Sequence, residues 1–225
     1  MHRIQTLNSK LLQYSALPAI LLLTLVAPHV PAKQAINVDQ QTLDKMEKQY
    51  GADALKRIEE WQILVSADNS SSDLEKLKKV NDYFNNNIQF VDDIYHWKKE
   101  DYWATPVETL CSQGGDCEDF SIAKYFTLKA LGVSEEKLLI TYVKALKLNQ
   151  AHMVLTYYEK PGAIPLVLDN LNGEILPATE RTDLLPVYSF NGGGLWTAKQ
   201  RGKGKFIGGS DKVKLWKDLE SRMGG

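Results

Sequence analysis

The chain has 225 residues, room for one substantial domain or two small lobes on a shared core, and its 44% apolar content excludes disorder as its default state. A formal net charge of −1 offers no basic surplus for a nucleic-acid backbone, so no nucleic-acid partner is expected.

At the start, Arg3 and Lys10 precede an apolar run from Ala16 to Val26, and Val30-Pro31-Ala32 follows. Basic, apolar and small-residue regions in that order read as a secretory signal peptide, residues 1–32, cut after Ala32. The run is shorter than the ~20 residues of a comfortable membrane span, which makes retention as an anchor the lesser alternative. Cleavage lowers the basic count from 27 to 25 against 28 acidic side chains, a net −3.

Between Gln40 and Ala67, apolar residues from Leu43 through Met46, Tyr50, Leu55, Ile58 and Trp61 to Leu64 recur near helical spacing, interrupted by Gly51. One or two amphipathic helices are expected there. The polar run Asp68–Ser72 breaks the pattern. A further helix is expected from Asp73, with Leu74, Leu77, Val80 and Phe84 facing inward and the asparagines at 85–87 ending it. Residues 88–104 read as an aromatic-rich loop, whose segment Ile94–Trp103 is expected to serve packing.

Thr105-Pro106-Val107-Glu108 places Thr at N-cap, Pro at N1 and Glu at N3, a capping-box start for a short helix. Gly114-Gly115 ends it, Asp116 can cap the next, and Cys117, Phe120, Ala123, Phe126 and Ala130 carry a helix to Gly132 as its C′ residue. Beyond that point β-formers dominate. Leu138–Leu146, His152–Tyr158 and Ile164–Asp169 read as strands, the last two joined around Pro161-Gly162, with short strands at 187–190, 195–198 and 205–207. The basic stretch Lys199–Lys205 reads as a solvated loop, and Asp211–Arg222 as a closing helix on Val213, Trp216 and Leu219. The expected architecture is α+β: one domain, 33–225, with a helical lobe over about 33–132 and an antiparallel β lobe over about 133–225.

Cys117 in the first turn of a helix is placed to favour a thiolate, since the unpaired N–H groups and the dipole there stabilise negative charge. The bland alternative is a small buried residue, or a disulfide with Cys111. Two of the four histidines, His2 and His29, leave with the signal peptide, and His152 opens a strand whose hairpin partner ends at Asp169. Cross-strand neighbours lie ~4.5–5.5 Å apart at Cβ, so that carboxylate is expected to orient the imidazole, and Cys117, His152 and Asp169 together supply nucleophile, base and orienting group. Asp116, Glu118 and Asp119 oppose the thiolate by like-charge repulsion, a conflict that a bound cation removes, and calcium suits such oxygen ligands. Simple helix capping and dipole complementation explain the same acids without an ion.

The segments GGDCEDF, AHMVLTY and PLVLDN resemble the Cys, His and Asp boxes of the transglutaminase-like cysteine protease superfamily, and within it the LapG group of bacterial transglutaminase-like cysteine proteinases. The resemblance implies a papain/transglutaminase-like fold and a periplasmic endopeptidase that cuts large RTX-type surface adhesins near their N-termini, typically at a di-alanine site, so promoting biofilm dispersal. It implies calcium dependence through the acids beside the nucleophile, with Asp116 and Glu118 the better candidates and Asp119, Asp92 or Asp93 the lesser ones. It also implies sequestration by a LapD-type inner-membrane receptor for cyclic di-GMP. For the oxyanion, the Cys117 N–H and either Trp103 or Gln113 are the candidates. The same triad also fits a transglutaminase or a peptidoglycan amidase, and a disulfide-linked, noncatalytic calcium-binding module is the alternative outside enzymology.

Overall fold

The computed structural model describes residues 36–67, 71–197 and 204–223; the signal-peptide reading of 1–32 and residues 199–203 of the basic stretch lie outside the described residues. The long periodic stretch near the start forms two helices, α1 (Gln40–Tyr50) and α2 (Ala52–Ala67), separated at Gly51. Asp39 starts α1 by accepting the Thr42 N–H at 2.9 Å. Helix α3 (Asp73–Asn87) opens with a capping box between Ser72 and Glu75. Its Leu77, Val80 and Phe84 are fully buried as expected. Leu74 is not: in the first turn it borders a surface groove beside Ile175 and stays 59% exposed.

The aromatic stretch expected as plain loop contains β1 (Gln89–Phe90) and α4 (Asp93–His96). Helix α5 (Pro106–Ser112) has both bonds of its capping box: Thr105 Oγ1 accepts the Glu108 N–H at 3.2 Å, and Glu108 accepts the Thr105 N–H at 2.8 Å. Strand β2 (Gly114–Gly115) then pairs in parallel with β1. Helix α6 (Cys117–Ala130) ends in a Schellman motif, with the Val133 N–H on the Leu128 carbonyl and the Gly132 N–H on that of Lys129. Gly132 sits at φ 84°, the left-handed conformation that this cap requires and that costs glycine nothing. Asp116 occupies the N-cap position of α6, but its side chain makes no capping bond, contrary to expectation.

The second half folds as one antiparallel sheet of β3 (Leu138–Ala145), β4 (Gln150–Tyr157), β5 (Leu166–Leu168), β6 (Leu176–Pro177), β7 (Leu184–Asn191), β8 (Gly194–Thr197) and β9 (Phe206–Gly208), in the order β6-β5-β4-β3-β7-β8-β9. Pro165 confines the strand expected from Ile164 to its last residues, and β6 is an addition. A single 3₁₀ turn at Ser210–Lys212 leads into α7 (Lys214–Arg222).

Helix α6 lies across β3 and β4, and one core joins both halves of the chain: Leu77 and Phe84 of α3, Ile122 and Leu128 of α6, Leu155 and Phe190 of the sheet, and Trp216 of α7. Trp216 stacks on Phe126 with centroids 5.5 Å apart and meets Tyr125 and Phe190 edge-on. Strand alternation sends Val143, Val154 and Val167 to a smaller cluster with Leu184. The Arg222 guanidinium reaches back to donate to the Tyr102 hydroxyl at 2.9 Å, to Glu108 at 2.5 Å and to the Trp103 carbonyl. Among the described residues no helix is long and apolar enough to cross a membrane.

Candidate active site

The turn into α6 sets the position of Cys117. A side chain at Gly115 would bring its Cβ to 2.5 Å from Asp119 Oδ2, so the close approach of β2 to the first turn of α6 demands glycine there. Cys117 is the first residue of α6 and lines a cavity of about 680 Å³, which His152, Met153, Trp103, Tyr142 and Tyr188 also line. The rings of Tyr142 and Tyr188 stack at 5.0 Å to form part of its wall. Both cysteines are free thiols: Cys111 is buried against Met46, Ala54 and Ile58, so the disulfide alternative fails. Trp103 lines the cavity as well as packing on Phe190, which corrects the purely packing role expected of its segment. Gln113 is not among the lining residues; its carbonyl accepts the Gln89 N–H where β1 and β2 run side by side.

His152 is the third residue of β4, and Asp169 follows directly after β5. The pairing Leu155↔Leu168, continued by one residue, sets Asp169 opposite Val154 and therefore diagonal to His152. The side chains nevertheless meet, His152 Nε2 to Asp169 Oδ1 at 2.8 Å, and are 4% and 0% exposed. The Leu171 N–H donates to the same oxygen at 3.0 Å, and Arg181 donates to Oδ2 at 2.7 Å while itself held by Asp183. Burial alone would raise the Asp169 carboxyl, but the His152 hydrogen bond and charge, then the Leu171 and Arg181 bonds, hold it down at about 2. An ionised carboxylate only accepts, so Nε2 is the donor in this bond and Nδ1 is the nitrogen left for other partners. The remaining histidine of the described residues, His96, packs edge-on against Trp97. Arg181 was not foreseen; it lies in a polar loop with nothing in its neighbourhood to single it out.

The acids around Cys117 converge. Asp93, Asp116 and Asp119 each bring a carboxylate oxygen within 4.8 Å of the others, and so do Asp93, Asp101 and Glu118. Asp119, fully buried, accepts the Ala104 N–H at 2.7 Å through one oxygen, and Asp93 accepts the Tyr102 N–H. The opposite oxygens, Asp93 Oδ1 and Asp119 Oδ2, are buried without a donor, as is Asp116 Oδ1. Three such acceptors in one place fit a hard cation with oxygen ligands. Burial, then mutual repulsion, raises Asp116 and Asp119 far above the carboxylate range, and burial raises Glu118 as well. Cys117 donates its S–H to Glu118 at 3.0 Å, and its thiol is pushed well up by burial first, then by the Glu118 and Asp116 charges; the Met153 N–H opposes this. Of the three acids expected at a cation, all lie in this cluster. Asp93, a lesser candidate in the sequence, joins them, and Asp101 was missed because it lies 15 residues before Asp116 in a loop without pattern.

Residues 41–187 match the family described as bacterial transglutaminase-like cysteine proteinase. The fold is similar to that of LapG from Legionella pneumophila, at 42% sequence identity and a TM-score of 0.70, over 83% of this chain and 98% of that one. The calcium-bound form of that protein gives 43% identity and a TM-score of 0.69 over 83% and 99%, and an EGTA-treated form gives 42% and 0.70 over 83% and 98%. No curated protein matches the chain.

Proposed function

Because the chain belongs to the bacterial transglutaminase-like cysteine proteinase family and is a cysteine protease, we propose that it is a calcium-dependent periplasmic endopeptidase that cuts a large RTX-type surface adhesin near its N-terminus, releasing it and promoting biofilm dispersal. In this reading Cys117 is the nucleophile, His152 the base and Asp169 the group that orients it. The observation that carries it is the buried His152–Asp169 pair, whose histidine lines the same cavity as a cysteine at a helix N-terminus.

His152 takes the Cys117 proton, Sγ attacks the scissile carbonyl, and the imidazolium then protonates the leaving amine. Water, activated by the same imidazole, hydrolyses the acyl-enzyme. The Cys117 N–H has no intrahelical acceptor and is available to the oxyanion. Asp116, Glu118 and Asp119, with Asp93 and Asp101, would hold calcium, which supplies the positive charge that offsets their repulsion of a Cys117 thiolate. The calcium-bound LapG neighbour supports this ligand. Regulation by a LapD-type inner-membrane cyclic di-GMP receptor completes the proposal.

Cleavage of an adhesin N-terminal fragment, with and without chelator and with Cys117→Ala as control, tests the reading. Two peptides in calcium and none with Cys117→Ala are expected; a higher-mass adduct would indicate transglutaminase chemistry instead. Undiminished cleavage by Cys117→Ala sinks the mechanism, and undiminished cleavage in chelator sinks the calcium requirement.

A further inference from the structure

The segment after β5 has a difficult task. Asp169 lies past the last paired residue, diagonal to His152, so the ladder alone does not fix its carboxylate. The segment 169–173 also carries Leu171, whose N–H bonds Asp169 and whose side chain lines the cavity. What holds this segment comes from the helices on the far side of the core.

Lys124 of α6 is 1% exposed. Its ammonium donates to Asn81 Oδ1 at 2.8 Å and to Asn85 Oδ1 at 2.7 Å, both on α3. A lysine only donates, so each amide must turn its oxygen toward Nζ and its NH2 group away. Those two NH2 groups end on main-chain carbonyls at the two ends of the segment: Asn85 Nδ2 on Asp169 at 2.8 Å, and Asn81 Nδ2 on Gly173 at 2.9 Å. A buried ammonium is costly, and burial lowers its pKa to about 7. An apolar residue would fill the space at less cost but would leave both amides free to flip.

We infer that Lys124, acting through Asn81 and Asn85, is a positioning residue that clamps segment 169–173 and thereby aims the Asp169 carboxylate at His152. The inference rests on the reading of Cys117, His152 and Asp169 as the triad. Lys124 touches neither substrate nor reacting atoms. Its effect passes through two amides whose orientation it dictates.

The deciding variant is Asn85→Asp. It keeps an oxygen for Lys124, and adds a charge partner, but has no N–H for the Asp169 carbonyl. Asn81→Asp does the same at Gly173, farther from the carboxylate, and Asp169→Asn is the reference. On the calcium-loaded full chain, kcat and KM are measured with the adhesin fragment, the far-downfield proton resonance of His152 Nε2–H by NMR, and thermal unfolding in parallel.

Asn85→Asp is expected to lower kcat about tenfold or more with KM within about twofold, and to weaken or shift the His152 resonance, while unfolding stays close to wild type. Asn81→Asp is expected to do the same to a smaller extent. Wild-type kcat and an unmoved resonance in Asn85→Asp overturn the inference even when Asp169→Asn is inactive. A fully active Asp169→Asn overturns the triad reading instead. Should the aspartate prevent folding, Asn85→Ser drops the same donor without adding charge and is read by the same two criteria.

Discussion

Burial by itself would lift the Asp169 carboxyl, and the donors around it reverse the sign, which ties this one residue to the pH dependence of the whole fold. A carboxyl held at about 2 when folded, against an ordinary value of 3.8, stabilises the native state above pH ~4 and loses that contribution as pH falls from ~4 toward ~2. The contribution is about 2 kcal/mol. Asp169→Asn should therefore flatten the loss of stability between pH 5 and pH 2 in urea titrations, and should lower kcat at least ~100-fold at neutral pH because the imidazole loses its anchor. A wild-type pH slope in the variant would contradict this. Asp116 gives a prediction of opposite character. Its unpartnered buried oxygen is repelled by its neighbours when no cation is present, so Asp116→Asn should melt at or above the wild-type temperature in chelator and below it in calcium, by scanning calorimetry. His152 and Asp169 were legible in the sequence because a hairpin turn and alternating strands bring their positions near each other. Arg181, Lys124 and Asp101 were not, since Arg181 meets Asp169, Lys124 meets Asn81 and Asn85, and Asp101 meets Asp93 and Glu118 only through tertiary contact.

The elements that carry explicit local chemistry were read correctly: the Thr105–Glu108 capping box, the Gly132 terminus of α6 and the runs of β-formers that make β3 and β4. Two-residue strands such as β1, β2 and β6 are too short to show a period, and whether a first-turn residue such as Leu74 is covered depends on what lies beside it, not on its spacing. The β1–β2 pair matters more than its length suggests, because it brings Gly115 against Asp119. Gly115→Ala should force those two apart and weaken calcium binding by about tenfold or more in titration calorimetry, from the displaced ligand alone. Gly132→Ala, far from the cation, should cost about 1 kcal/mol of stability and leave calcium affinity unchanged. Equal calcium affinities for wild type and Gly115→Ala would show that the close approach is not what shapes the cluster.

Across the molecule, the helices and the sheet share one core, and Trp216 of the last helix touches α6 through Tyr125 and Phe126 and the sheet through Phe190. Trp216→Ala should cost about 3–5 kcal/mol, and urea unfolding of the wild type followed by circular dichroism and by tryptophan fluorescence should give coincident transitions. Separate transitions for helix and sheet would mean that the two halves hold themselves up independently. The Arg222 contacts have a consequence in time. That guanidinium holds Tyr102 and the Trp103 carbonyl, and the Tyr102 and Ala104 N–H groups cap Asp93 and Asp119, yet it lies 120 and 119 residues downstream of those two partners. A chain emerging from the ribosome exposes the cysteine box long before α7 exists to pin the loop beside it. The hydrolytic centre thus reaches its finished shape only after its own scaffold has been delivered, an order of assembly that spares the chain's surroundings from a half-made protease.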